Sequence, residues 1–226
     1  SLPQQGLFKG ERLLAYFERQ FGQRTFADLD LPLALVAVDL NSGQEIILQD
    51  GLVALAVRAT VAVPGILAPV EMNGMRLADG GLLNNLPADV AHQMGAEVVI
   101  AVDVFARNAG VWTSHIRWAP KGVTGILQVI GESVEIMRSA INAQKLAQTP
   151  SEILICPDIP PDVSAFAGFG RAAELIGAGE RAAEAALPRI RAQMDACQHR
   201  PERSYATEEI GSQGSPRTAR PASVQF

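Results

Sequence analysis

Asp79, followed at once by Gly80 and Gly81, is the residue of this 226-residue chain best placed to do chemistry. A carboxylate can take a proton from a hydroxyl and later return it, which is the task of a general base. The two glycines lack Cβ, so the backbone after the acid can turn sharply or pass close to another group. Met75-Arg76-Leu77 reads as a short strand, so the turn presents the carboxylate near a strand terminus. In open α/β sheets, sites gather at the carboxyl ends of strands. Asn84 is the third support of this turn. With Asn85 it stands just before Pro87, where an Asn can cap a helix and Pro fits the first helical turn. Asp-Gly-Gly alone is a common turn; its weight comes from the ordered window around it, from Ala56 to Val104.

Other reactive residues are less well placed. Ser133 lies in Gly131-Glu132-Ser133-Val134-Glu135, inside a long helical pattern. A nucleophile elbow instead exposes its serine on a strained strand-to-helix turn. His92 is read as a packing or surface residue of a short helix, and His115 and His199 are given no role. Arg58 is read as a buried hydrogen-bond donor in preference to a headgroup contact. Asp39 and Asp103 end strands and are read as turn or cap residues. Cys156 and Cys197 share neither metal-ligand nor redox spacing, which favours a reducing compartment. No metal cluster and no cofactor motif is present in the sequence.

The elements that would position Asp79 follow from periodicity. Leu13, Leu14, Phe17 and Phe21 share one face of a helix over 10–21. The run 33–40 reads as a buried strand, turned at Asn41-Ser42-Gly43 into a returning strand over 45–48. A helix is expected over 52–60, then a hairpin about Asn73-Gly74. A short helix over 87–94 precedes a buried strand over 98–104. A loop over 107–121, a helix over 123–147, a strand over 153–155 and Ala- and Glu-rich helices over 169–195 follow. Buried strands alternating with helices predict an α/β architecture. From about Gln198 the pattern stops, and the Ser-, Arg-, Pro- and Gly-rich tail over 198–226 is expected to be disordered.

Composition narrows the function. With 48% apolar residues the chain can bury a core of its own. A net charge of -5 with no basic stripe, and aromatics at 5%, argue against nucleic-acid binding. The longest apolar stretch, Leu52 to Val70, is interrupted by Arg58 and Pro64 and does not read as a membrane span.

The window as a whole resembles the patatin-like phospholipase family. Arg58-Ala59-Thr60, Pro64-Gly65, Pro69-Val70, Asp79-Gly80-Gly81, Asn85-Leu86-Pro87 and Gly95-Ala96 with Val98 to Ile100 stand in the family's order. The likeness extends from about Gly6 to Ala192, including the closing stretch from Arg171 to Leu187. It implies a patatin-like three-layer sandwich with a mainly parallel central sheet, here N-terminally truncated. Residues 1–197 would form a partial hydrolase domain.

The resemblance further implies a serine-dependent lipid acyl hydrolase, a phospholipase or esterase, that uses a Ser-Asp dyad with Asp79 as the base. The family's Gly-x-Ser-x-Gly elbow and oxyanion loop have no counterpart in the chain, so the 226 residues alone are expected to be inactive. Pro64, Gly65, Ile66 and Leu67 could line an acyl pocket or pack in the core. An ordinary Asp pKa of about 3.9 is poor for a base near neutrality, and burial among Leu77, Leu82 and lipid would raise it. Lipid or ester substrates and peripheral membrane contact follow from the same likeness, and calcium does not; a cytoplasmic or peripheral-membrane location is favoured. The competing reading is a non-catalytic α/β interaction domain that keeps the scaffold without the nucleophile. The retained carboxylate favours the enzyme.

Overall fold

The computed structural model describes residues 6, 8–104, 124–160 and 169–198. The loop expected over 107–121 and the tail from 199 lie outside them. The architecture is mixed α/β, as the alternation predicts, and consistent with a patatin-like fold.

Four strands form one sheet in the order β2 (Gln44–Leu48), β1 (Leu35–Asp39), β4 (Met75–Asp79), β3 (Val70–Met72). Every pairing in it is antiparallel. The parallel pairing expected for the central sheet is found instead between β5 (Ile100–Val102) and β6 (Ile153–Ile155). For the two hairpin pairings the reason is connection length. The β1–β2 and β3–β4 turns span only a few residues, and parallel strands need a crossover of a dozen or more. At the β3–β4 turn Asn73 has φ 52° and Gly74 φ 76°. Two left-handed residues make the hairpin turn that Asn-Gly favours.

The β1–β2 turn is organised by Asp39, which is buried. Its carboxylate accepts from the Asn41, Ser42 and Arg76 N–H groups and from the Ser42 hydroxyl. The Arg76 N–H, helped by Ser42 and Asn41, holds the Asp39 carboxyl below its ordinary value against the effect of burial. Such a group stabilises the fold above its unfolded-state pKa of about 3.9, and that stability is lost as pH falls through the lower folded-state value. Asp39→Ala is therefore expected to lose about 2–4 kcal/mol at pH 7, because three backbone donors lose their acceptor. Urea unfolding of both proteins from pH 7 to pH 2 should show that gap closing at the acid end.

Helix α2 (Val53–Thr60) packs on β1 and β4 and carries α1 (Glu11–Phe21) on its other side. Its inward residues Ala54, Ala56 and Ala59 are small, which lets the helix lie close to the strands. The core beneath it gathers Phe26, Ala37, Leu48, Val53, Val70 and Leu77. Arg58 lies within this packing at 3% exposure and donates to the Lys9 and Ala68 carbonyls, 2.9 and 2.8 Å away. It is a structural donor tying the segment before α1 to the strand that follows.

After α3 (Ala88–Gln93), the strand expected over 98–104 is confined to three residues. Only Val99 and Ala101 of that stretch are buried, while Ile100, Val102 and Val104 are exposed. Helix α4 (Thr124–Gln148) runs as one element. The helices expected over 169–195 are a single-turn 3-10 segment (Phe169–Arg171) and one long helix, α5 (Ala172–Gln198), with Pro188 inside it. Ala182, Ala186 and Ile190 of α5 cover Ile153 and Ile155 in a second, smaller core.

Candidate active site

Asp79 is the last residue of β4, and its backbone N–H donates to the Ala62 carbonyl beyond α2. A 3-10 turn (Gly80–Leu82) begins immediately after it, and Asp79 caps that turn: the Gly81 N–H donates to Asp79 Oδ1 at 2.7 Å. The strand end and the cap together hold the carboxylate in one orientation, half-buried at the end of the sheet.

Both glycines are required by close approach, since neither has a positive φ. A Cβ on Gly80 would stand 2.1 Å from the Val36 carbonyl oxygen. That carbonyl also accepts from the Thr60 hydroxyl, so β1, α2 and the turn meet at one point. A Cβ on Gly81 would lie 2.8 Å from Asn85 Oδ1, 2.9 Å from Asp79 Oδ1 and 3.1 Å from Arg138 Nη2. The empty Cβ position of Gly81 is thus where three polar side chains converge.

Burial pushes the Asp79 carboxyl above its ordinary value. The Gly81 N–H and the Arg138 guanidinium oppose this without cancelling it. A carboxylate raised in this way holds a proton more readily than an ordinary aspartate.

Asn84 supports the turn by a different route from the one its sequence position suggests. The residue before α3 is Pro87, and no side chain caps that helix. The Asn84 N–H donates to the Gly80 carbonyl, closing the turn. Its side chain, 2% exposed, donates from Nδ2 to Glu45 Oε1 and Asp89 Oδ1, both at 2.8 Å. Lys145 completes this network, donating to Glu45 Oε2 at 2.6 Å and to Asp89 Oδ2 at 3.0 Å. Burial raises the Asp89 carboxyl, but the Asn84 amide and the Lys145 ammonium outweigh it and hold it below the usual range. Burial likewise works against the Lys145 charge, and the two carboxylates prevail and raise it.

Glu45, Asp89, Arg138, Asn142 and Lys145 were not singled out by sequence reasoning. A signal was present on α4: Arg138, Asn142 and Lys145 are spaced i, i+4, i+7 and share one face. Asn142 Oδ1 accepts from the Asn85 N–H. Met137 and its neighbour Ile136 are exposed, and part of the docked face is polar.

The other expected residues fall elsewhere. Pro64 and Gly65 are exposed, which rules out core packing for those two. Ile66 and Leu67 are half-buried and bridged to Phe8. None of the four lines the cavity of about 290 Å³ bounded by Asp50, Leu52, Leu55, Ala56 and Met72. The His92 ring approaches the Ala96 and Pro150 carbonyls and the Glu152 carboxylate, which are packing contacts. Ser133 is inside α4 and not at a strand-to-helix turn. No group of metal-ligating side chains occurs among the described residues.

Residues 1–92 match the family model for patatin-like phospholipases. An uncharacterized NTE family protein of Mycobacterium tuberculosis is 34% identical over 110 residues, which are 49% of this chain and 31% of that protein. Patatin-like phospholipase domain-containing protein 7 of Rattus norvegicus is 34% identical over 131 residues, 52% of this chain and 10% of that protein. Patatin-like phospholipase domain-containing protein 6 of Homo sapiens is 38% identical over 108 residues, 47% of this chain and 8% of that protein. The chain thus spans less than a third of the length of these curated relatives.

Proposed function

We propose that the chain, matched over residues 1–92 by the patatin-like phospholipase family model, is the base-bearing part of a serine-dependent lipid acyl hydrolase. Asp79 is the general base of a Ser-Asp dyad. The observation that carries this reading is the Asp79 carboxylate, half-buried, raised above its ordinary pKa and fixed at a strand end by the Gly81 N–H.

In this reading the serine comes from polypeptide outside these 226 residues, since no Gly-x-Ser-x-Gly occurs within them. Asp79 takes the proton of the serine hydroxyl as its oxygen attacks the ester carbonyl. The protonated Asp79 then delivers that proton to the departing alcohol, leaving an acyl-serine. Asp79 next takes a proton from water as the water attacks the acyl group. Collapse of that intermediate releases the acid, and Asp79 returns the proton to serine. Pinning Oδ1 to the Gly81 N–H leaves Oδ2 to carry the proton in each step. Pro64 to Leu67 are retained as a candidate acyl-chain surface, as their partial exposure allows. Membrane-derived lipids, met at a membrane surface, are the proposed substrate class.

The test is made on the polypeptide encoded by the complete reading frame. A fluorophosphonate probe should label one serine in a Gly-x-Ser-x-Gly segment, and the protein should hydrolyse short-chain nitrophenyl esters and lysophospholipid. A complete reading frame with no such segment, no labelling and no turnover would replace the enzyme with a scaffold-only interaction domain.

A further inference from the structure

Arg138, Asn142 and Lys145 give α4 a polar face. These three side chains reach the Asp79 turn or the β2 and α3 residues beside it. Asn142 Oδ1 accepts from the Asn85 N–H, Lys145 joins Glu45 and Asp89, and Arg138 Nη2 comes within 3.1 Å of the Gly81 Cβ position. Asp79 Oδ1 stands 2.9 Å from that same position. The helix is thus docked through Asn142 and Lys145, and one turn before them it brings a guanidinium beside the carboxylate.

We infer that Arg138 is the positioning residue of Asp79: α4, anchored through Asn142 and Lys145, holds its guanidinium over Gly81 so that the acid keeps one orientation. The inference rests on the reading of Asp79 as a base. Arg138 acts only through Asp79. A rigid, forked cation suits this because it can hold a carboxylate while leaving one oxygen for the proton.

The opposing effects on Asp79 explain why such a residue is useful. Burial alone would favour the protonated acid, which cannot accept a proton. The guanidinium pulls the balance back toward the carboxylate. Among the described residues, other charged groups stand on the elements packed around the turn. Asp39 on β1 holds its own hairpin, Arg76 on β4 lies at that hairpin, Arg58 on α2 binds two carbonyls, and Lys145 on α4 binds Glu45 and Asp89.

The decisive measurement is the titration of the Asp79 carboxylate, followed by carbon-13 NMR in the full-length polypeptide and assigned by the signal lost in Asp79→Asn. In Arg138→Gln the Asp79 midpoint should rise, and Arg138→Lys should restore part of the difference. Lys145→Gln, which loosens one anchor of α4, should lower stability and move the midpoint less than Arg138→Gln does. In turnover, Arg138→Gln should lose about tenfold in kcat at pH 7 with KM little changed, its acidic limb moving to higher pH. A folded Arg138→Gln protein whose Asp79 midpoint matches wild type overturns the inference. If Arg138→Gln does not fold, Arg138→Lys decides alone: the shorter side chain must still raise the midpoint, and an unmoved one refutes the role. Absence of ester turnover in wild type would remove the hydrolase reading, while the titration would still report whether Arg138 governs Asp79.

Discussion

Asp79→Asn should abolish ester turnover, with kcat/KM down on the order of 10³-fold, while the folded protein becomes no less stable at pH 7. The two halves of this result have one cause. Asparagine keeps an oxygen that can accept from the Gly81 N–H, so the 3-10 cap survives. It has no ionisation, so it cannot serve as the base. Burial raises the Asp79 pKa in the folded state, which means the native protein bears a penalty for ionising it. For a raised carboxyl, native stability climbs as pH falls through the folded-state pKa and levels off below the unfolded value of about 3.9. Wild type should therefore gain on Asp79→Asn as the solution is acidified over that window. Thermal denaturation at pH 7, 5 and 3, paired with turnover at pH 7, reads both. Turnover retained at wild-type rate would remove Asp79 from the mechanism. A large stability loss at pH 7 would show that the carboxylate is structural.

Much of this site can be read from local sequence, because the forces that place Asp79 are local. An apolar strand, an acid and two glycines define a strand end, a cap and a close-packed turn, and all three are within four residues. The Asn73-Gly74 hairpin and the β6 strand are legible for the same reason. What sequence alone conceals is long-range polar contact. Glu45 and Lys145 are 100 positions apart, and either looks like an ordinary surface charge until the chain brings Asn84 and Asp89 between them. Asn84 illustrates the limit best. Its position before Pro87 suggests a helix cap, yet its amide is drawn to two carboxylates that local pattern cannot foresee. The sheet shows the same division. The hairpins are dictated by their turns, whereas the parallel partner of β5 comes from about fifty residues downstream.

Gly80→Ala is expected to cost about 3–5 kcal/mol and to lower Tm by roughly 10 °C. The new Cβ would meet the Val36 carbonyl oxygen at 2.1 Å, and what it meets is backbone. Val36 is in β1, whose next residue, Ala37, is paired with Asp79 and with Ile46. Relief by moving β1 would break pairing on both of its sides, and relief by moving the turn would pull Asp79 off the strand end. The same methyl at Gly81 meets the far ends of the Asn85, Asp79 and Arg138 side chains, which can swing away. Gly81→Ala should therefore fold with a much smaller loss, and damage turnover instead by displacing the acid and its guanidinium. Thermal melts and ester kinetics of the two variants, measured side by side, separate the cases. If Gly80→Ala melts with wild type, the turn is not wedged against β1. If Gly81→Ala turns over at the wild-type rate, the convergence of side chains at that point has no part in the chemistry.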